Sequence, residues 1–173
     1  GSLALIGVPG SSGFFSKDLL IEAVRESHWH GQGAVYWIAY LSVLLGVFVT
    51  ALYSFRMFFL VFHGKERMSE EEKSHLHETP AVVTVPLVLL AIPSAVIGWF
   101  TVGPVLFGDY FGDAIYVAAE NDVLAHMGEA WHGSLGLLTH SVMTPVFWLA
   151  AAGVFTAWFL YLKRPDIPAT VQA

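Results

Sequence analysis

Three stretches of this chain, Ala34 to Phe62, Pro80 to Phe100 and Pro145 to Leu162, are apolar almost without interruption. About 20 such residues in helix cross the roughly 30 Å of hydrocarbon in a bilayer, so three runs of this kind point to a core shared with lipid. The expected fold class is therefore all-α: a polytopic transmembrane helical bundle with about three full spans and one discontinuous helix. Composition agrees, since 55% of the residues are hydrophobic and 13% charged, against roughly a quarter charged in soluble domains.

The discontinuous helix is expected over residues 1–28. Ser2 to Val8 is apolar but too short to span, and Pro9-Gly10-Ser11-Ser12-Gly13 is a cluster that no unbroken helix would choose. Helix is expected to resume at about Phe14. A transmembrane helix over 34–62 would be ~43 Å long at 1.5 Å per residue, enough to tilt or protrude. Then follow a hydrophilic loop over 63–79 and a transmembrane helix over 80–100, which carries Pro86 and Pro93 and should kink. In the segment 101–144, Val123, Leu124, Met127, Trp131, Leu135 and Leu138 recur at near-helical spacing, which predicts one interfacial amphipathic helix. A last transmembrane helix over 145–162 leads into a tail over 163–173.

Lys65, Arg67 and Lys73 lie in one loop and Lys163-Arg164 in the tail, whereas 101–144 holds no Lys or Arg. The positive-inside rule assigns the loop 63–79 and the tail to the cytoplasm and the segment 101–144 to the outer side of the membrane. The abrupt apolar start, without the basic region of a signal peptide, reads as a piece of a longer multi-pass protein.

Several function classes are argued against. The net charge is -6, and no basic run carries interleaved aromatics, which speaks against nucleic acid. Without cysteine, this chain supplies no disulfide and no thiolate ligand to an iron–sulfur cluster. Gly7, Gly10 and Gly13 lack a βαβ context, and Gly64-Lys65 lacks the rest of a P-loop, so no nucleotide cofactor is expected to bind here. The pairs His28 with His30 and His75 with His77, and the trio His126, Glu129 and His132, lack a compact metal motif; no metal is expected.

Lys17 carries the sharpest chemical reading. An apolar run, a break and then a lysine early in a resumed helix place an amine inside the bilayer, where a charged residue costs about 2.5 to 3.5 kcal/mol on the insertion scale. Desolvation and the positive end of the resumed helix both act against the ammonium, while an acidic partner would favour it. An amine balanced in this way can take up and release a proton. Asp18 points about 100° away and is not an automatic partner. Lys17, Ile21, Val24 and His28 share one stripe, with His28 ~16 Å further out at the helical rise; Asp18, Glu22 and Arg25 share another. A relay through ordered water to His28 or to the acids Asp18 and Glu22 is one reading; the bland ones are that Glu22, Arg25 and Glu26 form a solvated helix end and that Lys17 snorkels. On the next helix, Tyr36, Tyr40, Thr50 and Ser54 fall on one face. Thr50 and Ser54 are secondary candidates for a proton path, though Ser42, Gly46 and Thr50 read equally as a small-residue packing seam.

Taken together, Gly1 to Gly7, Gly13-Phe14-Phe15-Ser16-Lys17-Asp18, Thr50-Ala51-Leu52-Tyr53-Ser54-Phe55-Arg56, Phe62-His63-Gly64-Lys65 and His77-Glu78-Thr79-Pro80 resemble the L-type antiporter-like subunit of proton-translocating NADH:quinone oxidoreductase, respiratory complex I, homologous to mitochondrial subunit 5. The resemblance covers nearly the whole chain. It implies the later part of that subunit, from its second discontinuous helix to just before a long lateral helix. It also implies that Lys17, with Asp18 beside it, is where protons leave toward the periplasm. NADH, FMN, iron–sulfur clusters and quinone would then belong to the parent complex, none bound by this chain, with the other membrane subunits and the lipid bilayer as partners. Gly10-Ser11 departs from the family pattern, where bulky aromatics often follow the proline. A large subunit of a multisubunit sodium/proton antiporter or of a membrane-bound hydrogenase shares the architecture, and a passive membrane scaffold is the reading from another class.

Overall fold

The computed structural model describes residues 1–27, 33–66 and 68–172, apart from the side chains of residues 113, 169, 171 and 172. The described residues form an all-helical bundle. Helix α1 (Ser2–Ile6) ends at Gly7, whose φ of 76° is the left-handed geometry in which a glycine closes a helix; its N–H donates to the Ala4 carbonyl. After Pro9, helix α2 (Ser12–Arg25) begins two residues earlier than the apolar pattern indicates, because the Ser11 hydroxyl accepts from the Phe14 N–H as an N-cap.

Among the described residues, three helices are long and apolar enough to cross a membrane: Gly33–Phe62, Ala81–Phe107 and Pro145–Lys163. The first is a single helix, α3 (Gly33–Phe62). A short helix α4 (Glu70–Ser74) follows, closed by a capping box in which the Ser69 hydroxyl accepts from the Glu72 N–H and the Glu72 carboxylate accepts from the Ser69 N–H. Those bonds to Ser69 hold the Glu72 carboxyl below the usual range. The second long helix comprises α5 (Ala81–Val102) and a π-helical turn over Gly103–Phe107. Pro86 and Pro93 lie inside α5 without ending it. The third comprises α8 (Pro145–Trp158) and a π-helical turn over Phe159–Lys163, and the short helix α9 (Asp166–Gln172) follows.

Between α5 and α8 the chain differs from the single amphipathic helix its spacing predicts. Two helices form, α6 (Val123–Glu129) and α7 (Gly133–Ser141), separated at Ala130 to His132. Gly133 takes φ 81°, a conformation foreign to a continuous right-handed helix. Met127 of α6 is buried with Phe14, Phe15, Leu19 and Val102, so α2, α5 and α6 share one core cluster, against which Trp131 packs.

Helix α8 packs along α3, with Val47, Ala51 and Ala157 almost fully buried between them. The small residue that permits this approach is Gly153. A Cβ there would lie 2.6 Å from the Phe48 carbonyl oxygen and 2.7 Å from Ala51 Cβ. Gly46, on the seam expected from α3, has nothing within 4 Å of where its Cβ would be. The packing seam exists but is supplied by the partner helix, because spacing along α3 does not reveal which of its faces meets α8. Gly153→Leu is expected to separate α3 from α8; overpacking costs about 1–3 kcal/mol. A blue-native gel series on heated membranes should show the complex dissociating at lower temperature than wild type.

Candidate functional site

The gap between α1 and α2 is closed by backbone contact and by hydrogen bonds from α5. A Cβ on Gly13 would overlap the Ala4 carbonyl oxygen and lie 2.8 Å from its carbon, so the start of α2 rests on the backbone of α1. The Ser12 hydroxyl donates to the Ser94 carbonyl at 2.8 Å, and the Trp99 indole N–H donates to the Gly10 carbonyl at 2.7 Å. Gly10 is thus held by α5, with φ 93°.

Lys17 lies one turn into α2, with its side chain passing Gly7: the aliphatic Cδ would be 3.5 Å from a Cβ at that glycine. Its Nζ is buried and has no hydrogen-bond partner among the described residues. Asp18 is 8% exposed, and no ion pair joins it to Lys17, as the angular offset on the helix requires. Both residues line a cavity of ≈ 10 Å³ together with Gly7, Pro9, Ser141 and Phe147. That is about the space one water needs, and water is the natural bridge between two polar groups that do not touch.

Asp18 also lines a second cavity of ≈ 710 Å³ between α2, α6 and α7, with Glu22, Arg25, His126 and His140 on its wall. Arg25 pairs with both Glu22 and Glu26. Its backbone carbonyl accepts from the Tyr36 hydroxyl at 3.3 Å. The buried Asp18 therefore stands between a small chamber beside the amine and a wide polar one.

The remaining sequence candidates are placed less centrally. His28, and with it His30, lies outside the described residues. Ser54 is buried with no hydrogen-bond partner for its hydroxyl among the described residues, and Thr50 is half-buried one turn before it on α3; neither lines the cavities that hold Lys17 and Asp18. Tyr36 stacks on Tyr40 at 6.1 Å between ring centroids. Among the described residues, no group of three or more His, Asp or Glu side chains could hold a metal ion. Reasoning from sequence missed His140 and considered His126 and His132 only as metal ligands. The histidine-bearing stretch after the second span was the available signal, but its meeting with Asp18 is a long-range contact.

Chemically, an amine without a fixed partner, a buried carboxyl beside it and a polar chamber beyond can pass a proton stepwise. No family model matches the chain. It is 45% identical, over 99% of its length, to NADH-quinone oxidoreductase subunit L of two Neisseria meningitidis strains, of serogroups A and B. It is 34% identical, over 94% of its length, to F(420)H(2) dehydrogenase subunit L of Methanosarcina mazei, and 31% identical, over 72%, to NADH-ubiquinone oxidoreductase chain 5 of Marchantia polymorpha. The chain spans 27% of the length of the Neisseria proteins.

Proposed function

The chain belongs to the NADH-quinone oxidoreductase subunit L family, and on that footing we propose that it moves protons across a bacterial inner membrane, driven by NADH:quinone electron transfer in other subunits of a respiratory complex. Lys17 is the residue that changes charge, Asp18 receives its proton, and Glu22, His28, Thr50 and Ser54 are secondary members of the path. NADH, FMN, iron–sulfur clusters and quinone are held by the other subunits, with which this one packs through its membrane helices.

The observation that carries this reading is the buried Lys17 Nζ, without a hydrogen-bond partner among the described residues, beside a break whose geometry is fixed by named contacts. An amine committed to an ion pair would need that pair broken at each cycle; this one has no such bond to break. Relatives named for NADH and for F(420)H(2) share this stretch, which supports a proton-handling part that is independent of the electron donor. The orientation proposed for the three spans rests on Lys65, Arg67 and Lys73 in one loop and Lys163 and Arg164 in the tail, on the cytoplasmic side by the positive-inside rule.

The test is Lys17→Ala in the full-length subunit, with proton pumping measured in reconstituted complex and assembly checked on a blue-native gel. Loss of pumping in an assembled complex supports the reading. Pumping that persists at the wild-type rate returns the subunit to the role of a scaffold.

A further inference from the structure

The wide chamber beyond Asp18 holds three histidines, and their surroundings distinguish them. His132 turns its Nδ1 to the Ala130 carbonyl at 2.7 Å, so one ring nitrogen is engaged by its own loop. His126 sits on α6 and His140 near the end of α7, both exposed on their outer sides. Of the three, His140 is the one whose chain neighbour, Ser141, lines the small chamber with Lys17 and Asp18, while His140 itself lines the wide one with Asp18. His140 therefore shares a cavity with the buried carboxyl and is itself exposed. We propose that His140 is the proton-carrying residue that follows Asp18, taking the proton across the chamber and releasing it to the aqueous phase on the side of the segment between α5 and α8.

The step is balanced. The Asp18 carboxylic acid gives its proton to a neutral His140 imidazole, leaving a carboxylate and an imidazolium, and the imidazolium then gives the same proton to water outside. The chamber suits a positive charge in transit: Asp18, Glu22 and Glu26 put three carboxylates on its wall against the single guanidinium of Arg25, which the two glutamates already pair. Next to His140, Ser141 also lines the small chamber that contains Lys17, so adjacent residues at the end of α7 face the two compartments.

This inference rests on Lys17 and Asp18 being the proton donors, and its test separates the two. The full-length subunit carrying His140→Ala is assembled into the complex and reconstituted, and the initial rate of membrane-potential formation is followed with and without imidazole. His140→Gln takes its place if a blue-native gel shows that the alanine variant does not assemble. The expected result is a loss on the order of tenfold, below the range usual for a positioned acid–base group because water keeps partial access, with recovery when imidazole is added. A structural role for His140 would not respond to imidazole, so a slow variant without rescue, or a variant as fast as wild type, overturns the inference. Lys17→Ala in the same assay is expected to stay inactive with imidazole present; if it pumps normally, the underlying reading fails too.

Discussion

Lys17→Arg is expected to stop pumping as completely as Lys17→Ala, although it keeps a positive charge at the same place. Arginine does not deprotonate in proteins, so the substitution keeps the cation and removes its ability to give up a proton. If Lys17 served only as a fixed charge or as an anchor for α2, arginine would be the mildest replacement available. The expected loss is a hundredfold or more in the initial pumping rate, on the order of the lower end of what a positioned acid–base group supplies. Assembly on a blue-native gel is the control, since the ≈ 10 Å³ chamber beside the amine leaves little room for a guanidinium. Substantial pumping by an assembled Lys17→Arg complex is the result that would remove Lys17 from the transfer chain.

Gly13→Ala is expected to act on the fold. The added methyl would overlap the carbonyl of Ala4, and the atoms it meets are backbone on both sides, which cannot rotate away as a side chain can. Either α1 moves off α2 or the first turn of α2 unwinds, and each displaces Lys17 from its chamber. Overpacking of this kind costs about 1–3 kcal/mol or more, a large part of the stability of most domains. The measurement is the amount of assembled complex in membranes at equal expression, which should fall several-fold. Ser16→Ala, on the exposed side of α2, should leave it unchanged.

The break itself was legible because its residues act locally. Gly7, Pro9 and Ser11 each impose a backbone geometry or cap that needs no distant partner, so the interruption and the position of Lys17 after it follow from order along the chain. The long apolar helices were legible for the same reason, since length and hydropathy are local quantities. What could not be read was which face meets which. The spacing of Ser42, Gly46 and Thr50 marks a narrow strip on α3, yet the close approach is made by Gly153 of α8. Likewise the periodicity from Val123 to Leu138 is compatible with one helix, and it is the burial of Met127 and Trp131 against α2 and α5 that accompanies two. His140 stands 122 positions beyond Asp18 in sequence, and only the folding of α7 back over α2 puts them on one cavity.

The bonds from Ser12 to Ser94 and from Trp99 to Gly10 grip the interrupted helix at two points about a turn and a half apart on a single neighbour. A rigid-body shift of that neighbour would pull on Gly10 within the interruption and on Ser12 at the start of α2, the helix that carries the amine. Force arriving sideways through the protein would reach the proton by way of the rod bearing Pro86 and Pro93, whose missing amide hydrogens make it the easiest of the three long ones to bend.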